Sequence, residues 1–348
     1  MTVLAPNISR LDTPLARTRP DLIARWLFTV ALMILMIVVV GGITRLTNSG
    51  LSITEWKPIS GIIPPLSDKA WNAEFAQYKA SAQYALMNTG MSLAAFKHIF
   101  FWEYIHRVIA RLLGVVFALP LLWFIIKRQI PKRLIGRLVL ILALGGMQGA
   151  VGWLMVASGL AGRDKVEPVM LAAHLSMALL LLSALIWTAL DCRTLAINPT
   201  ARLARFTPFA GVVIALLGVQ IIYGALTAGL RAGVIANTWP LMNDHLFPRG
   251  VTWSGGHSFI ADPYLVHFIH RWWAFVAFVA LMLLARRVKP LERKASVAIH
   301  ATVGTQILLG IATVMSGVVL PLAVAHQFTG ALTLCATIWG AHAFGRKT

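Results

Sequence analysis

The chain has 348 residues, 58% of them hydrophobic and only 12% charged, with a mean hydropathy of +0.75. So small a polar share cannot cover a soluble globule of this size, and the composition specifies an integral membrane protein. The net charge of +19 would suggest nucleic acid in a soluble protein. Here the Lys and Arg residues sit in short connections between apolar runs, where they act as topology signals, and no nucleic-acid partner is expected.

Residues 1–25 read as a short polar cytoplasmic tail with Arg10, Arg17, Arg19 and Arg25; Asp12 and Asp21 fit a transit peptide poorly. The run from Trp26 to about Gly42 is nearly a full span without a small-residue cleavage site, so it is a retained helix rather than a signal peptide. Further apolar runs follow at 99–126, 134–157, 169–190, 207–229, 263–287, 295–318 and 321–343. They are continuous over about 20 residues, whereas barrel strands alternate over about ten. The fold class is therefore an all-α membrane protein of eight transmembrane helices. Two longer connections, 43–98 and 230–262, are rich in Pro, Trp and Gly, and Trp71 to Ala82 predicts an interfacial helix. On one side of the membrane the connections and tails carry nineteen Lys and Arg, on the other nine. The positive-inside rule then puts both termini in the cytoplasm and the two long connections outside. Cys192 and Cys335 are too few for a stapled exterior domain or a tetrahedral metal site.

The second half repeats the first. Gly41, Thr44, Gly50 and Trp56 recur at identical spacing as Gly224, Thr227, Gly233 and Trp239. Gln148, Gly152, Ser158 and Gly159 recur as Gln306, Gly310, Ser316 and Gly317, and Ala173-His174 recurs as Ala325-His326. Glu103-Tyr104-Ile105-His106-Arg107 returns altered as His267-Phe268-Ile269-His270-Arg271. Four helices per half make both copies point the same way. The expected architecture is two pseudo-symmetric four-helix bundles side by side, 26–195 and 196–348.

His106, His174, His270 and His326 fall within the first turns of the second and fourth helices of each half, at similar depth near the outer face. Histidines at membrane depth are costly, and two duplicated pairs point to a shared role. Two histidines on facing helices can offer imidazole nitrogens to one metal centred in a flat ring, which is bis-histidine haem ligation. Zinc would want further Cys, Asp or Glu ligands, and neither half has a clear one. His98, His245, His257, His300 and His342 are expected to be solvated, and His267, at the position of Glu103, to have a packing role. Arg107 and Arg271 follow their histidines directly and are candidates for haem propionates, with snorkelling to headgroups as the competing role. The glycines Gly145, Gly146, Gly149 and Gly152 suggest close helix packing.

At these residues the chain closely resembles the haem A synthase family. The resemblance is carried by Gly41-Gly42-Ile43-Thr44-Arg45-Leu46-Thr47, Ser49-Gly50-Leu51-Ser52, Glu55-Trp56-Lys57-Pro58, Glu103 to Arg107, and Asn237-Thr238-Trp239-Pro240-Leu241-Met242. It implies oxidation of a haem O methyl group to a formyl group, through hydroxylated intermediates, giving haem A for cytochrome oxidase assembly. By the same resemblance His270 and His326 would ligate a resident haem B, and His106 and His174 would hold the substrate iron. Glu103 would be the catalytic acid at the reacting edge. The implied setting is the bacterial inner membrane, with haem O as substrate and with the haem O synthase and an electron-transfer protein as partners. Some members carry a cysteine pair in the first outer loop; residues 43–98 have none, so the chain looks like the proteobacterial and mitochondrial branch. A dihaem b-type electron carrier is the alternative, and Glu103, without a counterpart in the second half, discriminates against it. A transporter ranks last, because Pro120 has no partner break in the second half.

Overall fold

The computed structural model describes residues 17–57 and 60–347; most of the expected cytoplasmic tail, residues 1–16, lies outside them. Among the described residues there are ten α-helices and no strand. Eight are long and apolar enough to cross a membrane: α1 (Pro20–Leu46), α3 (Leu93–Ile126), α4 (Lys132–Leu160), α5 (Pro168–Ile197), α6 (Pro208–Gly229), α8 (Pro263–Val288), α9 (Arg293–Met315) and α10 (Leu320–Lys347). Two short helices, α2 (Asp68–Lys79) and α7 (Ser258–Ala261), lie in the two long connections.

Helix α1 begins at Pro20, six residues before the apolar run. A proline at the first helical position and Asp21 in the first turn suit a helix start, where free N–H groups carry positive partial charge. The expected tail is shorter by those residues. Pro168, Pro208 and Pro263 start α5, α6 and α8 in the same way. Side-chain oxygens of Ser92, Thr207 and Asp262 cap α3, α6 and α8 by accepting from Ala95, Ala210 and Leu265 N–H. The predicted interfacial helix is α2, three residues earlier than its apolar content suggests, because Ser67 caps it.

Helices α1 and α10 each bury 39% of their apolar window, against 6% for α4. The core therefore lies mainly along α1, α5, α8 and α10, with α6 contributing and α3, α4 and α9 buried least. Outside the membrane, Phe75 and Tyr78 of α2 stack on Phe96 of α3, with Phe100 and Trp71 edge-on. Gln83 then ties this lid down: it accepts from Tyr78 Oη (3.0 Å) and donates to the carbonyls of Asn48 (3.1 Å) and Asp164 (3.2 Å). Lys57 adds ion pairs with Glu55 and Glu74, both at 2.9 Å, and those carboxylates hold its ammonium above the ordinary lysine range.

Candidate functional site

Each of the four predicted histidines packs on a glycine of the preceding long helix of its half. A methyl group at Gly41 would stand 3.0 Å from His106 Cε1, and one at Gly152 2.8 Å from His174 Cε1. The second half repeats this at 2.9 Å for Gly224 with His270 and for Gly310 with His326. The glycines thus admit the rings and fix where they lie; any side chain there would push the imidazole out.

One turn before three of these glycines stands a glutamine. Gln148 Nε2 donates to the His174 carbonyl at 3.1 Å and lies 3.2 Å from Nδ1. Gln220 does the same for His270, at 3.1 and 3.2 Å. Gln306 meets His326 through its own carbonyl, 3.2 Å from Nδ1. A ligating histidine is characteristically oriented by a partner at its other ring nitrogen. His106 differs: the fourth position holds Ile37, which offers the ring only its backbone and no side-chain partner. Gln220 is legible as a third Gln four residues before a repeated Gly.

The rings of His270 and His326 lie 6.5 Å apart, centre to centre, at 84°. Two imidazole nitrogens each about 2 Å from one metal put their ring centres roughly 6 Å apart, so this pair has the separation that a shared iron requires. Among the described residues no three His, Cys, Asp or Glu side chains cluster as a metal site. The donor set in the second half is a pair of imidazoles, which fits haem.

Glu103 is 3% exposed and engaged at both oxygens. Oε2 accepts from Ser52 N (2.7 Å), Ser52 Oγ (2.7 Å) and Ile53 N (2.9 Å), and Oε1 pairs with Arg107 Nη2 at 2.6 Å. Arg107 Nη2 also donates to the Ile53 carbonyl at 3.1 Å and the guanidinium lies over Trp56. The second half repeats this clamp. Arg271 Nη2 donates to the carbonyl of Ala236, the repeat equivalent of Ile53, and its guanidinium lies over Trp239. His267, 1% exposed, takes the place of Glu103 and accepts from Arg271 Nε at 3.0 Å. Arg271 Nη1 donates to Thr238 O at 2.7 Å, so every nitrogen of that side chain holds protein. Both arginines thus pin the loop that follows the first helix of their half.

His98, His257 and His300 are exposed, and His245 joins Met242 through backbone hydrogen bonds. His342 departs from the expectation of solvation. It is 3% exposed and its Nε2 lies 3.0 Å from Asp191, which also takes Arg137 at 2.5 Å and Ala204 N–H at 3.1 Å. The packing of α10 on α5, with Trp187 edge-on to the ring, buries it, and the buried carboxylate of α5 requires such partners. The glycine run of α4 also differs: Gly152 is packed, but Gly145, Gly146 and Gly149 meet nothing within 4 Å of a Cβ. Ser52 is the residue that sequence spacing does not single out, because its role depends on a loop folding back over 51 positions onto Glu103.

Residues 24–338 match the model of a family described as cytochrome oxidase assembly protein. Among similar proteins, one named heme A synthase from Novosphingobium aromaticivorans is 50% identical over 348 residues, covering 96% of this chain and 99% of its own. Another of that name, from Erythrobacter litoralis, is 52% identical and covers 94% of this chain and 98% of its own. A third, from Sphingopyxis alaskensis, is 49% identical over 333 residues, covering 95% of this chain and 94% of its own.

Proposed function

The chain belongs to the cytochrome oxidase assembly protein family, and from that membership we propose how its residues divide the work of making haem A. It is a multi-pass membrane oxidoreductase that converts haem O to haem A. In our reading the second half, 196–348, holds a resident haem B between His270 and His326, and the first, 26–195, takes haem O between His106 and His174. The observation that carries this is the repeated seating of each imidazole on a glycine, with the second pair 6.5 Å apart.

A resident haem supplies one-electron redox capacity beside the substrate. The protein's own part is to bind, orient and handle protons. The glycine and glutamine partners hold His174, His270 and His326 in fixed orientations, so these imidazoles would hold a haem iron without reorganising. With Ile37 in place of a glutamine, His106 has a backbone partner and no side-chain clamp, which suits a ligand that must accept substrate and release product. Oxidising a methyl carbon removes protons as well as electrons, and Glu103 is the carboxylate one turn outward of His106. It acts at the reacting edge while holding Ser52 and Ile53 over the site. Arg107 and Arg271 serve the carboxylate ends of the two haems by pinning the loops that bear Trp56 and Trp239. Arg45 stands one turn after Gly41 on the same face of α1, where a cation favours an anionic group of the substrate.

We place the protein in the bacterial inner membrane with both termini cytoplasmic, supported by the bias of basic residues. Its protein partners are then the haem O synthase and an electron carrier. The experiment that tests the division is haem content: His270→Ala or His326→Ala should strip the resident haem, and His106→Ala or His174→Ala should retain it and accumulate haem O.

A further inference from the structure

Two neighbouring registers of α1 face the two halves of the molecule. Ile37 and Gly41 face His106, the first offering its backbone to the ring and the second the ledge on which the ring rests. One residue further on, Val38 and Gly42 face α10. Gln327 Nε2 donates to the Val38 carbonyl at 2.7 Å, and a Cβ at Gly42 would stand 3.0 Å from both Nε2 and Oε1 of that side chain. Gln327 directly follows His326. A single turn of α1 thus has a histidine of the first half on one side and the neighbour of a second-half histidine on the other.

The matching joint between the halves is built differently. The repeat places Leu175, Ala225 and Ile221 where this joint has Gln327, Gly42 and Val38. Leu175 directly follows His174 and packs on the apolar cluster that includes Ala225 and Leu226. An apolar contact therefore suffices to join such helices, and an amide at membrane depth is the costlier choice. Gly42 adds to that cost, because glycine is the poorest helix former after proline. Nor does α1 need the amide, since a helix carbonyl already accepts from the N–H four residues on. What Gln327 and Gly42 supply together is a directional hold of α10 on this turn of α1, which an apolar contact does not give. His106 has the most to gain from it, because its ring has no side-chain clamp and depends on the backbone of that turn.

We propose that Gln327 is a positioning residue: from the second half it holds the turn of α1 that seats His106, and so sets the orientation of that imidazole toward the substrate. This rests on the reading that His106 and His174 hold haem O. The histidine beside Gln327 in sequence is not the one it serves, because His326 is already placed by Gly310 and Gln306.

Two variants test this in the full-length protein, purified with its resident haem and titrated with haem O. Gln327→Met keeps the length of the side chain and removes the donor. Gln327→Leu combined with Gly42→Ala rebuilds the joint with the residues of its counterpart, packed but without the hydrogen bond. The readouts are Kd for haem O by absorbance and the electron paramagnetic resonance of the oxidised haems, because the signal of a low-spin ferric haem depends on the angle between its two imidazole planes. Both variants should keep the resident haem with its signal unchanged, shift the signal of the added haem, and weaken haem O binding by about fivefold, the scale of one lost hydrogen bond. Wild-type signal and affinity in the double variant would show that packing is all the joint supplies, and would overturn the proposal. A shift confined to the resident haem, or loss of that haem from both variants, overturns it too and makes Gln327 a partner of His326. His106→Ala, measured alongside, separates the two levels. If it leaves haem O binding and the added signal untouched, the substrate assignment fails and the role of Gln327 with it; an effect there without one in the Gln327 variants sinks the role of Gln327 alone.

Discussion

Glu103 and His267 occupy equivalent positions four residues before an arginine that grips the same loop carbonyl, and they differ in what else they hold. Glu103 takes three further donors from Ser52 and Ile53; His267 takes none of these and has the Ala232 backbone beside its ring. Glu103→Gln should fold and keep the resident haem, but its carboxamide would turn an N–H toward one set of donors. We expect haem O to accumulate with at least about a tenfold fall in haem A, about 1.4 kcal/mol or more of lost stabilisation; near-normal haem A would leave Glu103 a purely structural residue. Gly224→Ala places a methyl group 2.9 Å from His270 Cε1. Overpacking of this kind costs about 1–3 kcal/mol, so the haem-to-protein ratio should fall, whereas Gly145→Ala, in open space, should leave it unchanged. The pairing of Glu103 with Arg107 is legible from four-residue spacing. The grip on Ser52 is not, since nothing local encodes where a loop returns.

The long helices are the most legible elements, because continuous apolar runs have one structural solution in a bilayer. Their ends are less so. Helix α3 starts at Leu93 rather than near 99, since the Ser92 cap and the aromatic seat for α2 extend it beyond the apolar run. His342 and Asp191 illustrate the opposite limit: each looks like a helix-end polar residue, and only the packing of α10 on α5 reveals a buried pair. The outer lid is also a product of tertiary contact. Tyr78 is fully buried and joins Gln83 at 3.0 Å and Asn88 at 2.6 Å. Tyr78→Phe leaves the Gln83 oxygen without that donor, and should lower stability by about 1–3 kcal/mol. Thermal unfolding of the detergent-solubilised protein would register this, and an unchanged midpoint would show that the lid is held by its aromatic stack alone.

At the scale of the molecule, the repeat brings equivalent residues together: Arg231 donates to Asn48, its own counterpart in the first half, and both have φ of 53°. The two halves of the sequence differ beside their histidines, at Ile37 against Gln220, Glu103 against His267, and Gly114 against Phe278. Orientation is tested separately. A reporter active only outside the cytoplasm should work near Lys79 or Asn243 and fail near Lys132 or Lys289. The most direct measurement of the central claim is extraction and identification of the haems carried by His106→Ala, His174→Ala, His270→Ala and His326→Ala, each expressed with a source of haem O. We predict that the last two lose haem B, and that the first two keep haem B and yield haem O in place of haem A. Equal loss of the same haem from all four would contradict the account, and would point to ligation across the halves instead of within them.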